Sequence, residues 1–256
     1  MKLSLLVVGL MVLSCSAFGE FIKIPVIADG ERGFVHVKDI DGLAIAEGDI
    51  IVDTTINLKH QLLGTGRKVL NKKTWNKGII YYEVDPSLGE PERIQGAIDH
   101  YHANTKFKIL PRSGQKDYVY FKDNGAEGGC NSYIGRKGGK QVINVPDWCK
   151  SGSLIHELGH AYGLRHEQTR KDRSDYVDIH WKRIQLDQIG NFVKNCFGKD
   201  YGSFDWDSIM LYGSFSFAKD DTKPTITKRS DDSTYTVNRK ELSDGDISAL
   251  DTIYGF

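Results

Sequence analysis

An excess of charge of either sign is missing from this sequence: 34 basic residues stand against 34 acidic ones, so there is no basic field to hold nucleic acid. No hydrophobic run is long enough to span a bilayer. The longest, Leu3 to Leu13, follows Met1-Lys2 and leads into Ser14, Cys15, Ser16, Ala17 and Gly19, the layout of a secretory signal ending by residue 19. Ser14-Cys15 also has some likeness to a lipoprotein anchoring site, but Leu13 stands where a small residue is usual, which favours a freely secreted product over one anchored at Cys15. Cysteines are few, and 39% hydrophobic residues are enough for an ordinary core without dense cross-linking. There is no internal repeat and no low-complexity tract.

Against these absences stands the run His156-Glu157-Leu158-Gly159-His160-Ala161-Tyr162-Gly163-Leu164-Arg165-His166, which reads H-E-x-x-H-x-x-G-x-x-H. Positions i and i+4 share a helix face, so His156 and His160 aim their imidazoles at one point with Glu157 beside them. Gly163 tolerates the positive φ that ends a helix and lets His166 return as a third ligand. Three protein ligands leave zinc one open position, as catalysis requires. H-E-x-x-H alone also fits, less well, an amphipathic helix bearing two surface histidines; the added Gly163 and His166 set chance aside. A further absence bears on the third ligand, since no Glu occurs between Glu167 and Glu241 and a carboxylate from a nearby later helix has no candidate. Ser208-Ile209-Met210-Leu211-Tyr212 supplies the methionine turn that accompanies this pattern, and the only other methionines, Met1 and Met11, lie in the leader.

The run His166-Glu167-Gln168-Thr169-Arg170-Lys171-Asp172-Arg173, the Ser-x-Met-x-Tyr turn and Gly129-Cys130-Asn131-Ser132-Tyr133-Ile134-Gly135-Arg136 resemble the astacin family of zinc endopeptidases, within the metzincin clan, from about Trp75 to the C-terminus. The resemblance implies one zinc ion held by His156, His160 and His166, with Glu157 as general base and acid. It implies that Tyr212 is a displaceable fifth ligand that stabilises the tetrahedral intermediate, that Met210 floors the metal, and that Glu167 pairs with a new N-terminus after activation. Read without it, Tyr212 lies among alternating aromatics from Leu211 to Phe217 that suit a half-buried strand, and Glu167 is a charge at a helix end. Leu211 stands where the family often has His.

Astacin zymogens are silenced by a Phe-x-Gly-Asp segment whose Asp takes the position meant for water. Asp49 matches that Asp and Gly48 permits the close backbone approach, while Ala46 replaces the Phe; read alone, Glu47-Gly48-Asp49 is a turn. A thiol switch is implausible because no Cys lies between Cys15 and Cys130. Release needs an activating protease, and Gly64-Thr65-Gly66-Arg67-Lys68 is flexible and basic, as cleavable linkers are. The chain thus divides into a signal at 1–19, a propeptide at 20–66 and a catalytic domain at 67–256 whose first subdomain ends near residue 163.

Cys130 and Cys149 bracket a Gly-rich basic stretch and, in an exported chain, pair to close a loop; the family resemblance points to the same pair. A second bridge usual in astacins has neither end here, with Lys106 at the early position, and Cys196 is left over. Ser87 and Glu90 predict a capping box for a helix burying Ile94, Ala97, Ile98 and Tyr101. Strands are expected at Ile79 to Val84, Asp117 to Phe121 and Gln141 to Val145, the zinc helix from about Ser153 to Tyr162, and a last helix from near Ser243 that buries Ile247, Leu250, Ile253 and Tyr254. The expected fold is α+β, two subdomains around a cleft with zinc at the bottom. The expected activity is hydrolysis of peptide bonds in protein or peptide substrates. A silent zinc-binding protein on the same fold and a zinc amidase acting on non-peptide bonds remain the alternatives.

Overall fold

The computed structural model describes residues 22–28, 31–58, 68–70, 73–126, 128–195 and 199–256. The expected signal at 1–19 with Cys15, the segment 59–67 and Cys196 lie outside the described residues.

The catalytic half starts with β6 (Ile79–Val84), α1 (Glu92–Asn104), β7 (Lys108–Pro111), β8 (Tyr118–Lys122), β9 (Asn131–Tyr133) and β10 (Lys140–Asn144), followed by α2 (Ser151–Tyr162). The strands run β9-β10-β8-β6-β7, parallel except for β9 against β10. Ile94, Ala97, Ile98 and Tyr101 of α1 and Leu154, Ile155, Leu158 and Ala161 of α2 lie in one buried cluster with Ile80, Val119, Phe121 and Ile143 from the sheet. The predicted strands and the zinc helix are present, shifted by one or two residues at some ends.

One expectation fails. α1 has no capping box: Ser87 Oγ donates to Asp85 Oδ1, and the helix begins after Pro91. Glu90 adopts φ +50°, a left-handed conformation that cannot continue into a helix, so the first turn is set by Pro91 and not by Ser87.

Ahead of this half, β1 (Ile22–Ala28), β2 (Glu31–Ile40), β3 (Leu43–Ala46) and β4 (Ile50–Thr54) form an antiparallel meander, with β5 (Lys68–Leu70) parallel to β1. β4 pairs in parallel with β9, joining Ile50 to Ser132 and Ile51 to Tyr133. The result is one ten-stranded sheet in the order β5-β1-β2-β3-β4-β9-β10-β8-β6-β7. Ile24, Val26, Val37, Ala44, Ala46 and Ile50 give the meander its own small core.

After α2 the backbone becomes irregular: short 3₁₀ turns, a two-stranded pair β11 (Val177–Ile179) with β12 (Ile226–Lys228), and α3 (Asp244–Tyr254). Irregular backbone must still find hydrogen-bond partners. Buried arginines supply them here: Arg173 donates to the carbonyls of Gln168 and Phe192, and Arg170 to those of Tyr201 and Gly202. α3 carries the capping box that α1 lacks, with Ser243 Oγ accepting from the Asp246 N–H and Asp246 Oδ2 accepting from the Ser243 N–H. Leu250 is fully buried against the main core, with Ile247, Ile253 and Tyr254 packed partly buried beside it.

Candidate metal centre

α2 ends at Gly163, whose φ of 120° follows N–H bonds to the carbonyls of Gly159 and His160. That turn brings His166 back against the helix, and the rings of His156, His160 and His166 stand 4.7 to 5.2 Å apart. His156 Nδ1 faces the Ile209 carbonyl at 2.9 Å and His160 Nδ1 the Leu164 carbonyl at 2.9 Å. A carbonyl only accepts, so both Nδ1 atoms carry the proton and both Nε2 lone pairs point inward. His166 Nδ1 lies 3.2 Å from Glu47 Oε2, which sets the same tautomer.

Asp49 enters the space between the three rings. Its carboxylate lies 3.3 Å from His156 Nε2, 3.4 Å from His160 Nε2 and 3.2 Å from His166 Nε2. All four donor atoms fall within 4.8 Å of one another. His160 Nε2 and Asp49 Oδ1 are buried without a hydrogen-bond partner. Three inward lone pairs facing a carboxylate are mutually repulsive unless a cation lies among them, and an imidazole set of this kind suits zinc. The donor set therefore fits one zinc ion.

Glu157, 2% exposed, follows His156 on α2, and its Oε2 has no hydrogen-bond partner. Burial, and then the charge of Asp49, push its carboxyl well above the usual range. Burial acts the same way on Asp49, but the surrounding imidazoles, His166 foremost, outweigh it and hold Asp49 well below its ordinary value. Tyr212 packs its ring 4.9 Å from that of His166 and donates its hydroxyl to the Glu47 carbonyl. Burial, then Asp49 and Glu47, keep the phenol well above its usual pKa, so it stays a donor.

Met210 lies beneath the helix, with its sulfur 3.1 Å from where a Cβ on Gly159 would stand. The turn around it is held from α3: Asp246 accepts from Ser208 Oγ at 2.7 Å and from the Ile209 N–H at 3.0 Å. Arg239 donates to the carbonyls of Ile209 and Leu211. Leu211, where a histidine is usual in the resembled family, is fully buried in an apolar cluster with Phe192, Phe204 and Ile226.

Residues 67–255 match the peptidase family described as Astacin. The chain belongs to the astacin family. It is 30% identical over 229 residues to "Zinc metalloproteinase nas-4" of Caenorhabditis elegans, covering 86% of this chain and 72% of that protein. It is 34% identical over 192 residues to "Astacin-like metalloprotease toxin 1" of Loxosceles intermedia, covering 72% of this chain and 69% of that protein. Among solved structures, High choriolytic enzyme 1, a hatching enzyme zinc-protease from Oryzias latipes, superposes with a TM-score of 0.66 at 30% identity, over 72% of this chain and 94% of that one. This astacin is accordingly a zinc-dependent peptidase of α+β, zincin-like fold that acts on protein or peptide substrates. No described helix is long and apolar enough to cross a membrane.

The structure brings together His156, His160, His166, Glu157, Met210, Tyr212 and Asp49, all singled out in the sequence, and pairs Cys130 with Cys149. Glu167 stands slightly apart, its Oε1 accepting from the Asp205 N–H. Three residues beside the centre escape sequence reasoning: Glu47, Arg239 and Asp246. For Glu47 there was a signal, a lone acid that follows the apolar run Leu43-Ala44-Ile45-Ala46 and precedes the Gly-Asp pair.

Proposed function

We propose that this astacin is exported as a zymogen, with residues 1–19 a signal, 20–66 a propeptide and 67–256 the peptidase. In it Asp49 takes the place of the attacking water. The observation that carries this reading is the Asp49 carboxylate lying within 3.4 Å of all three histidine Nε2 atoms. A metal position filled by a carboxylate from the same chain leaves no room for a nucleophile.

In the processed enzyme His156, His160 and His166 hold zinc, which supplies polarisation of the scissile carbonyl and acidification of water. Glu157 Oε2 then takes a proton from water and returns it to the leaving amine. The Tyr212 hydroxyl, freed from the Glu47 carbonyl, donates to the oxygen on which charge develops. Met210 floors the site. Glu167 awaits the new N-terminus: it borders a cavity of about 890 Å³ with Arg170, Asp205 and Met210. Burial pushes its carboxyl up to about 7, against the Asp205 N–H and Arg170, which lower it. An incoming ammonium suits such a group. Cleavage by an activating protease near Arg67, in the stretch Gly64 to Lys68, would free the peptidase. With Glu157 in place beside three converging histidines, catalysis is favoured over a silent zinc-binding role.

The test is peptide hydrolysis and zinc content of the full-length chain as wild type, Asp49→Ala and Glu157→Ala, before and after limited proteolysis. Asp49→Ala should cleave peptide without processing, and Glu157→Ala should keep zinc while losing about 10²- to 10⁴-fold in rate. No gain from Asp49→Ala sinks the plug; full activity in Glu157→Ala sinks the base.

A further inference from the structure

A catalytic or structural zinc site depends on what its histidine ligands do with their second nitrogens, because that bond fixes the tautomer, the ring orientation and the basicity of the ligating atom. Two of the three imidazoles here are provided for by the peptidase itself, His156 by the Ile209 carbonyl and His160 by the Leu164 carbonyl. His166 is different. Among the described residues, the partner of its Nδ1 is Glu47 Oε2, at 3.2 Å, from the same turn that carries Asp49.

Glu47 is built for this position. Its side chain is 12% exposed, its Oε2 also accepts from Thr169 Oγ1 at 3.1 Å, and its Oε1 lies 3.8 Å from Arg165 Nη1. Its backbone is left-handed, with φ +52°, and Gly48 follows at φ +86°. An acidic residue held in that conformation indicates that the surroundings over-determine it. The two positive-φ residues in succession turn the carboxylates of Glu47 and Asp49 onto opposite nitrogens of one ring: Asp49 Oδ2 meets His166 Nε2 at 3.2 Å, and Glu47 meets Nδ1.

We propose that Glu47 is a positioning residue for zinc, lent by the propeptide: its carboxylate completes the outer shell of His166, so the zymogen retains its metal more firmly than a chain lacking that carboxylate. The inference rests on the zymogen reading above, since only a propeptide that is later removed makes the acceptor a temporary one. Zinc is then secured during export and folding by a group that leaves when the enzyme is switched on. A carboxylate accepting from a ligand's N–H strengthens that ligand as a donor, and loss of such a partner commonly weakens metal binding by about 10- to 100-fold.

The experiment uses the full-length, unprocessed chain loaded with zinc, as wild type, Glu47→Ala, Glu47→Gln and Asp49→Ala. Zinc transfer to an excess of chromophoric chelator is timed at one pH, and the imidazole N–H protons are followed by NMR in chain labelled at histidine nitrogen. Glu47→Ala should release zinc about tenfold or more faster than wild type. It should also lose or shift the Nδ1–H signal of His166 while the signals of His156 and His160 stay. Glu47→Gln, whose amide oxygen still accepts, should recover part of both. Zinc release within twofold of wild type, with an unchanged His166 signal in Glu47→Ala, overturns the proposal and leaves the plug standing. Asp49→Ala that gains no peptidase activity before processing overturns the plug and the temporary nature of the Glu47 contact.

Discussion

His156, His160 and His166 present their Nε2 atoms to one point, and the hydroxyl of Tyr212 waits beside them on the Glu47 carbonyl. Removing that hydroxyl alone tests whether it serves the reaction or only the packing around Phe192 and Phe217, since its ring makes those contacts either way. Tyr212→Phe in the processed enzyme should lower kcat by about 10²-fold or more, the loss typical of one oxyanion donor, with zinc content and KM little changed. A change in KM or zinc content with kcat intact would assign Tyr212 to binding. Asp246 is the other residue whose influence exceeds its own contacts. Its buried carboxylate holds Ser208, Ile209 and Ser243, and the Ile209 carbonyl in turn faces His156 Nδ1. Asp246→Ala leaves buried donors unpaired and should cost about 3 kcal/mol in denaturant unfolding, with faster zinc loss to chelator.

At the scale of elements, three short pieces of backbone decide the site: the end of α2, the methionine turn and the turn between β3 and β4. The last depends on Gly48, where a Cβ would stand 2.7 Å from the Tyr212 hydroxyl and 3.3 Å from Phe217 at φ +86°. Gly48→Ala should therefore lift the turn off the metal. Peptide hydrolysis by the full-length chain is expected to rise towards that of Asp49→Ala, and a silent full-length Gly48→Ala chain would show that the turn tolerates the methyl. α1 acts on the zinc helix indirectly. Arg93, 5% exposed, donates to the carbonyls of Pro146, Asp147 and Cys149 in the loop that feeds α2, and to Gly89 in the turn before α1. One buried guanidinium thus anchors the start of the helix that carries His156 and His160.

At the scale of the whole molecule, the β1–β4 meander is a continuation of the catalytic sheet and not a cap laid over it. β4 hydrogen-bonds to β9, and the Ser132 N–H donates to the Asp49 carbonyl at 3.0 Å. Loss of the meander turns β9 into a sheet edge, with donors open to water. Amide exchange at residues 131–133 should accelerate after processing while that of α2 stays slow; unchanged exchange at Ser132 would mean the meander remains bound after the cut. The same region is tied by Cys130–Cys149, whose Cα atoms are 5.8 Å apart across 19 residues. Replacing both cysteines by serine should cost about 3 kcal/mol, read as a lower melting temperature.

The zinc helix, its glycine stop and the third histidine were legible in the sequence because ligands and stop signal lie within one short run, where helix periodicity alone puts them on one side. The start of α3 near Ser243 was legible too, from the apolar spacing of Ile247, Leu250, Ile253 and Tyr254, while the capping role of Asp246 was not. The capping box expected for Ser87 and Glu90 failed because backbone conformation at Glu90 and Pro91 outweighed the side-chain pattern. What joins distant positions carries no local period. Asp246 reaches Ile209 across 37 residues and Glu47 reaches His166 across 119. Nor do the short apolar runs before Trp75 say which sheet edge they complete. The zinc dependence and the converging histidines could be read from the sequence alone, because coordination chemistry acts through neighbouring residues on one helix and its turn. That Asp49 lies among the three histidines, that Glu47 reaches the Nδ1 of His166 and that β4 joins the catalytic sheet came only with the folded chain, because those depend on contacts that form after it has folded back on itself.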